Sequence, residues 1–283
     1  MPWISTNYKW VLDHDMCQEN PPVFYLLARY VNRRGTTGCT AEVRRQFFDI
    51  YPRGLTQVER YGYTPLHYIL MGSAECEPAL FKWMAEQCPS NMSKQNISGY
   101  TPLNIACDSL INHLEDDSSE ICKYLIAKCP DSVRVLDNME LLPIHMLQQH
   151  CQHRVVKEVV VLLLREYPES FLKKRQGYVM ASEFTAAPSP SSIPFVRRIK
   201  PLLDEERELK ENIAYLEDVS GVFRDAVDGT QTPRSLASST FDAFGNWATA
   251  FIQRLEANIE QVSTQLQHEC NVDEERFLSE DSE

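Results

Sequence analysis

The chain has 283 residues and a formal net charge of −12, with 43% hydrophobic side chains, enough to line a sizeable core. At this length roughly three quarters of the unfolded surface can be buried, and the composition excludes collagen, a wholly disordered chain and a short disulfide scaffold. There is no run of about 18 apolar residues, so no spanning helix is expected. The opening MPWISTNYKWVLDHDM lacks a basic region followed by an apolar run, so no signal peptide is expected.

Nine cysteines form no CxxC pair. They read as reduced thiols of a cytoplasmic or nuclear protein, where the sequons at Asn91 and Asn96 stay bare. Charge is uneven: residues 1–176 carry 19 basic and 20 acidic side chains, residues 177–283 carry 9 and 20. Two kinds of structure are therefore expected to meet near residue 177. Neither part is basic, so nucleic acid is not an expected partner.

Taken in chain order, residues 1–22 form an N-terminal extension. VFYLLARYV and VRRQFFDIY, within Val23–Tyr51, are apolar enough for helices. A repeat then emerges from spacing. Pro52, Pro89, Pro130 and Pro168 lie 37, 41 and 38 residues apart, each after Tyr or Cys. Leu55, Met92, Val133 and Phe171 follow them by three residues. A second proline (Pro65, Pro102, Pro143) follows the first by 13 residues each time, within GYTPLHYIL, GYTPLNIAC and ELLPIHMLQ. Thr64 and Thr101 are good N-caps, proline suits the first helical position, and Gly62 and Gly99 suit a turn with positive φ. Inner helices are predicted near 64–71, 101–112 and 142–149. Outer helices are predicted near 78–87, 119–128 and 154–166, each ended by the proline that follows.

TPLH inside a two-helix unit resembles the ankyrin repeat, in a divergent form with CP-x-S or YP-x-S ending the outer helix. The resemblance spans about residues 41–176. It implies an all-α solenoid of helix pairs over 23–180, with clear units near 62–98, 99–137 and 138–176. Val23–Tyr51 is then a degenerate first pair, and the decayed GYVMASEF is a terminal cap. The structural motif maps onto Thr64, Pro65, Leu66 and His67, onto Thr101, Pro102 and Leu103, and onto Pro143 and His145. Several positions depart from the family pattern. Asn104 replaces the motif histidine. Ile69 and Leu147 replace a small alanine, which implies wider helix separation. Leu142 replaces the capping threonine, a loss of about 1 kcal/mol that predicts a loose start to the third unit.

Beyond the repeats, Pro188, Pro190 and Pro194 among serines read as a linker over 181–200. Two amphipathic helices are predicted over 201–270. One carries Leu202, Leu209, Leu216 and Phe223 on a seven-residue spacing, with Ile213 and Val227 beside them. The other carries Phe241, Phe244, Ala248, Phe251, Leu255, Ile259, Val262 and Leu266. DGTQTPRS, with Gly229 and Pro233, breaks them apart. They are expected to pair as an antiparallel helical hairpin, or as a coiled coil between chains, a possible homo-oligomer. Arg254 is the only basic residue between Phe241 and Cys270, which argues against a membrane anchor despite Trp247. Residues 271–283 form an acidic tail.

Three groups of residues are candidates for chemistry. His145, His150, Cys151 and His153 carry zinc-type donors, but His145 fills a structural motif position and paired ligand spacing is missing. Glu115, Asp116 and Asp117 are expected in a solvated loop. GxSxG, GxxxxGK[ST], HExxH and GxGxxG are all missing from the sequence, and the cysteines near helices read as small buried hydrophobes. No cofactor, metal or catalytic residue is assigned.

The resemblance implies a non-enzymatic scaffold or adaptor that binds a protein through the concave repeat surface. Glu59, Asn96 and Asp137 match the family's turn aspartate. The outward positions after them hold Arg60 and Tyr61, Ile97 and Ser98, Asn138 and Met139. Tyr63, Tyr100 and Leu141, just before the helix caps, are also expected to face outward. Two alternatives stand: a structural oligomer built on the C-terminal helices, which light scattering with and without those helices tests, and a zinc or thiol enzyme using residues 145–153, which metal analysis tests.

Overall fold

The computed structural model describes residues 45–46, 48–49, 52–71, 77–147, 150–172, 193–229 and 234–271, with side chains described outside 171–172 and 222–244. Every regular element among these residues is helical. The chain divides into two compact units, residues 1–193 and 194–283.

The first unit is built of paired helices: α1 (Pro65–Met71) with α2 (Pro78–Gln87), α3 (Pro102–His113) with α4 (Asp116–Lys128), and α5 (Pro143–Leu147) with α6 (Arg154–Glu166). Inner helices α1, α3 and α5 touch in sequence, and outer helices α2, α4 and α6 form a second row beside them. Each outer helix ends on Cys88, Cys129 or Tyr167, at φ −142, −140 and −141. A proline follows each, because its ring disfavours helical geometry in the residue before it. The chain then makes a 3-10 turn, Pro89–Ser93, Pro130–Arg134 or Pro168–Leu172, and Pro52–Thr56 precedes them in the same style. Ser132 and Ser170 fasten these turns, each hydroxyl donating 2.6 Å to the carbonyl three residues back. In the second turn that slot holds Asn91, whose Nδ2 reaches Leu55 O of the preceding turn at 2.7 Å. The CP-x-S pattern fails there, and a bond between turns takes its place.

The core lies between the two rows of helices. Leu66, Phe81, Met84, Leu103, Leu110, Ile121, Leu125, Leu142, Val156 and Leu163 are buried there, each worth about 1.5–3 kcal/mol relative to exposure. Ile69 and Leu147, the large residues in the small-residue slots, are also buried. Phe48 meets Trp83 of α2 with ring centroids 6.2 Å apart, so the described residues before Pro52 extend the outer row. On the solvent side, ion pairs join consecutive outer helices: Lys82 to Glu120, Lys123 to Glu158, and Arg154 to Asp116.

Two sequence expectations change in this unit. Helix α4 starts at Asp116, not 119, and Glu115 takes the N-cap position. Glu115, Asp116 and Asp117 are therefore the opening turn of a helix, where carboxylates complement the unpaired N–H groups. The third unit is not loose at Leu142: its side chain is fully buried, and its N–H donates 3.0 Å to His145 Nδ1. The expected end of this helix at 148–149 lies outside the described residues, as do most of 1–51 and all of 173–192.

The second unit is a helical hairpin of α7 (Pro194–Gly229) and α8 (Arg234–Asn271). Arg198 near the start of α7 donates 2.8 Å to Glu269 near the end of α8, so the helices run antiparallel. The linker expected over 181–200 is helical from Pro194 onward. Pro194 sits at the first position, where its missing N–H is harmless. Pro201 lies inside the helix, a position that costs about 3 kcal/mol in isolation. Burial of Phe195, Val196, Ile199 and Leu203 around it offsets that cost. Along α8, Ala248, Leu255, Val262 and Leu266 are buried as the stripe predicts, whereas Phe251 is exposed and stacks on exposed Trp247 at 5.5 Å. Phe223, Val227, Phe241 and Phe244 lie outside the described side chains.

Candidate protein-interaction surface

Among the described residues, three stretches between a 3-10 turn and the inner helix after it form tight hairpins of one construction. Glu59 N–H donates to Tyr63 O, Asn96 N–H to Tyr100 O, and Asp137 N–H to Leu141 O, each at 3.0 Å. The side chain of the first residue then folds into its own turn. One Glu59 carboxylate oxygen accepts the N–H groups of Tyr61 and Tyr63. Asn96 Oδ1 accepts those of Ser98 and Tyr100, and Asp137 Oδ1 those of Met139 and Leu141, all at 2.8 to 2.9 Å. All three side chains are buried. The sequon asparagines Asn91 and Asn96 are thus consumed by the fold, with no amide presented at the surface.

Neighbouring hairpins bond to one another. Ile97 N–H donates 2.8 Å to Tyr61 O, and Asn138 N–H donates 3.1 Å to Ser98 O. Asn138 Nδ2 adds a 2.7 Å bond to Ile97 O. The three tips therefore form one continuous edge.

The helix behind each tip is locked at its start. Thr64 donates to His67 Nδ1 from its backbone N–H (3.0 Å) and its hydroxyl (2.8 Å). With Nδ1 accepting, Nε2–H is free to donate to Tyr100 O in the next hairpin, at 3.0 Å. The buried ring is neutral, its pKa lowered to about 4 by loss of solvation. Asn104 reproduces the first half of this arrangement. Its Oδ1 accepts the Thr101 N–H at 3.0 Å and hydroxyl at 2.7 Å, completing a capping box. Its short side chain falls shy of the next hairpin, and Nδ2 faces Met146 Sδ at 3.8 Å.

What the edge presents is apolar. Tyr61, Ile97 and Met139 are 43, 64 and 44% exposed, and Val58 and Leu136, just before the turn residues, are exposed too. Val58 and Leu136 were missed in the sequence, although their place directly before Glu59 and Asp137 was readable. Arg60 and Asn138 are also exposed, and the Arg60 guanidinium lies 4.4 Å from the Tyr61 ring centroid. Tyr63, Tyr100 and Leu141 are only half-buried rather than fully outward. Tyr63 packs edge-on against His67 and Tyr68, with centroids 5.8 and 5.6 Å away. Burial, then the nearby Asp137 and Asp108, push the Tyr100 phenol pKa up.

Two of the zinc-type donors within residues 145–153 are engaged by the fold itself. Among the described residues no three His, Cys, Asp or Glu side chains converge as a metal site. His145 Nδ1 is engaged with the Leu142 N–H. Cys151 is buried, its thiol donates to Leu147 O, and burial pushes its pKa up to about 12. That is the opposite of an activated nucleophile. Cys107 faces Cys122 inside the α3–α4 pair, and their hydrogen bond, together with burial, holds the Cys107 thiol protonated. No described helix is long and apolar enough to cross a membrane. No protein-family model matches the chain, and comparison with curated proteins returns no match.

Proposed function

We propose that residues 52–172 form a short, divergent ankyrin-repeat stack and that the protein is a non-enzymatic adaptor. On this reading the stack holds a protein partner against its hairpin tips and the adjoining inner helices. The observation that carries it is the exposed row Tyr61, Ile97 and Met139 on three hydrogen-bonded tips. The fold needs no apolar side chain at these positions, and aromatic residues and methionine are enriched where proteins bind one another. Helix pairs in two rows, the Thr-Pro helix starts, and the His67 bond into the following hairpin support the ankyrin assignment. The protonated, buried thiols of Cys107 and Cys151 support a non-enzymatic role.

The test is a quantitative pull-down comparing the wild-type chain with the triple variant Tyr61→Ser, Ile97→Ser, Met139→Ser. All three side chains are exposed, so melting temperatures should agree closely. Partners retained by the wild type and lost by the variant are the expected result. An identical partner set for both proteins refutes binding at the tips.

A further inference from the structure

The charge around the tips points to the chemistry of what they hold, on the premise that the tips are the binding surface. We propose that they take an extended acidic–apolar peptide, its apolar side chains on Tyr61, Ile97 and Met139 and its carboxylates toward Arg60 and Lys94.

Three observations carry this. The first is continuity: the hydrogen bonds from Ile97 to Tyr61 and from Asn138 to Ser98 and Ile97 make the three tips one edge. Stacked helices sit about 8–10 Å apart, and a chain extended as polyproline II has three residues per turn and rises about 3.1 Å per residue. Side chains three apart therefore share one face and recur about every 9 Å, so one in three meets a tip and about seven residues span all three.

The second is the sign of the exposed charge. Across residues 57–63, 94–100 and 135–141, equal windows in the repeat register, the exposed charged side chains are Arg60, Lys94 and Glu140. Glu59 and Asp137 are buried, and each has one carboxylate oxygen held by two backbone N–H groups. The exposed balance at the tips is positive in a chain whose net charge is −12.

The third is placement. Arg60, stacked on the Tyr61 ring, offers a guanidinium beside an apolar contact, and guanidinium is the cation best suited to a carboxylate. Exposed Asp108 on α3 acts on Tyr100 from the inner-helix side, and Glu140 marks the third tip. Carboxylates of the peptide are therefore drawn to the first two tips and repelled from the inner helices and the third tip. Charge orders the peptide along the edge as well as attracting it.

The test is selection of a displayed library of random twelve-residue peptides on the full-length chain, followed by affinity measurements on the enriched sequences. We expect peptides of net negative charge with apolar residues about three apart. The double variant Arg60→Glu, Lys94→Glu should weaken them by about tenfold or more and shift a fresh selection toward basic sequences. The Tyr61→Ser, Ile97→Ser, Met139→Ser variant should lose both sets. Neutral or basic peptides that depend on the three apolar residues overturn this proposal and leave the tip surface standing. Acidic peptides indifferent to the charge reversal, or no enrichment at all, overturn it outright.

Discussion

The hairpins place a hard demand on one backbone position, and the three repeats meet it unequally. Gly62 and Gly99 occupy it at φ +80 and +77, and Glu140 occupies it at φ +58. The left-handed region costs a residue with a side chain roughly 1–2 kcal/mol. At Gly99 there is a second obstacle. A Cβ would lie 2.7 Å from both Asn138 N and Asn138 Oδ1, closer than real atoms approach. That N–H is the one donated to Ser98 O, so relief of the clash breaks a bond between hairpins, worth about 1 kcal/mol. Gly99→Ala should therefore destabilise the stack by about 3 kcal/mol. Glu140 is exposed, and Glu140→Gly should release strain and stabilise by about 0.5–1 kcal/mol after the added freedom of glycine in the unfolded chain. Urea unfolding followed by circular dichroism reads both changes. Hydrogen exchange at the Asn138 amide reads the local one, which should quicken in Gly99→Ala and not in Glu140→Gly. An alanine variant within 1 kcal/mol of wild type, or a destabilised Glu140→Gly, refutes the account of the turn.

Two further outcomes follow from the helix starts. Folding holds His67 neutral at a lowered pKa of about 4 against an ordinary 6.5, so the stability it contributes is complete above 6.5 and drains away as pH falls toward 4, by up to roughly 3 kcal/mol. The gap between urea midpoints at pH 7 and pH 4.5 should narrow in His67→Asn, which cannot titrate; an unchanged gap rules His67 out as a cause. The family resemblance alone would have Leu142→Thr restore a cap and stabilise by about 1 kcal/mol. Because Leu142 is wholly buried, the substitution should instead destabilise by about 1–2 kcal/mol net, and a raised melting temperature would overturn that.

The readable part of this protein was the part written in backbone chemistry. Thr64, Pro65, Thr101, Pro102 and Pro143 announce helix starts because few residues suit an N-cap and a first turn. The prolines after Cys88, Cys129 and Tyr167 announce helix ends for an equally local reason. What escaped was set by neighbours. Nothing in ELLPIH says that Glu140 will accept a left-handed φ; the register of the third hairpin against the second imposes it. The opening of α4 at Asp116 escaped because three adjacent acids read as a loop, although their charge suits the N-terminal end of a helix, where Asp116 also meets Arg154 of the next outer helix. Asn91 looked like a sequon and proved to be a tie between turns.

The same distinction governs the proposed binding surface. Outward positions could be assigned from the repeat register, but whether a tyrosine there is available depends on what packs beside it. Tyr61 and Tyr63 are two residues apart and chemically identical. Tyr63 lies against His67 and Tyr68, while Tyr61 carries only the Arg60 guanidinium across its ring among the aromatic and cation contacts described. The phenol ring of half-buried Tyr63 packs within the stack, whereas the Tyr61 ring stands 43% exposed at a tip. This is why the proposed interaction surface rests on Tyr61, Ile97 and Met139 and not on the residues directly before the caps.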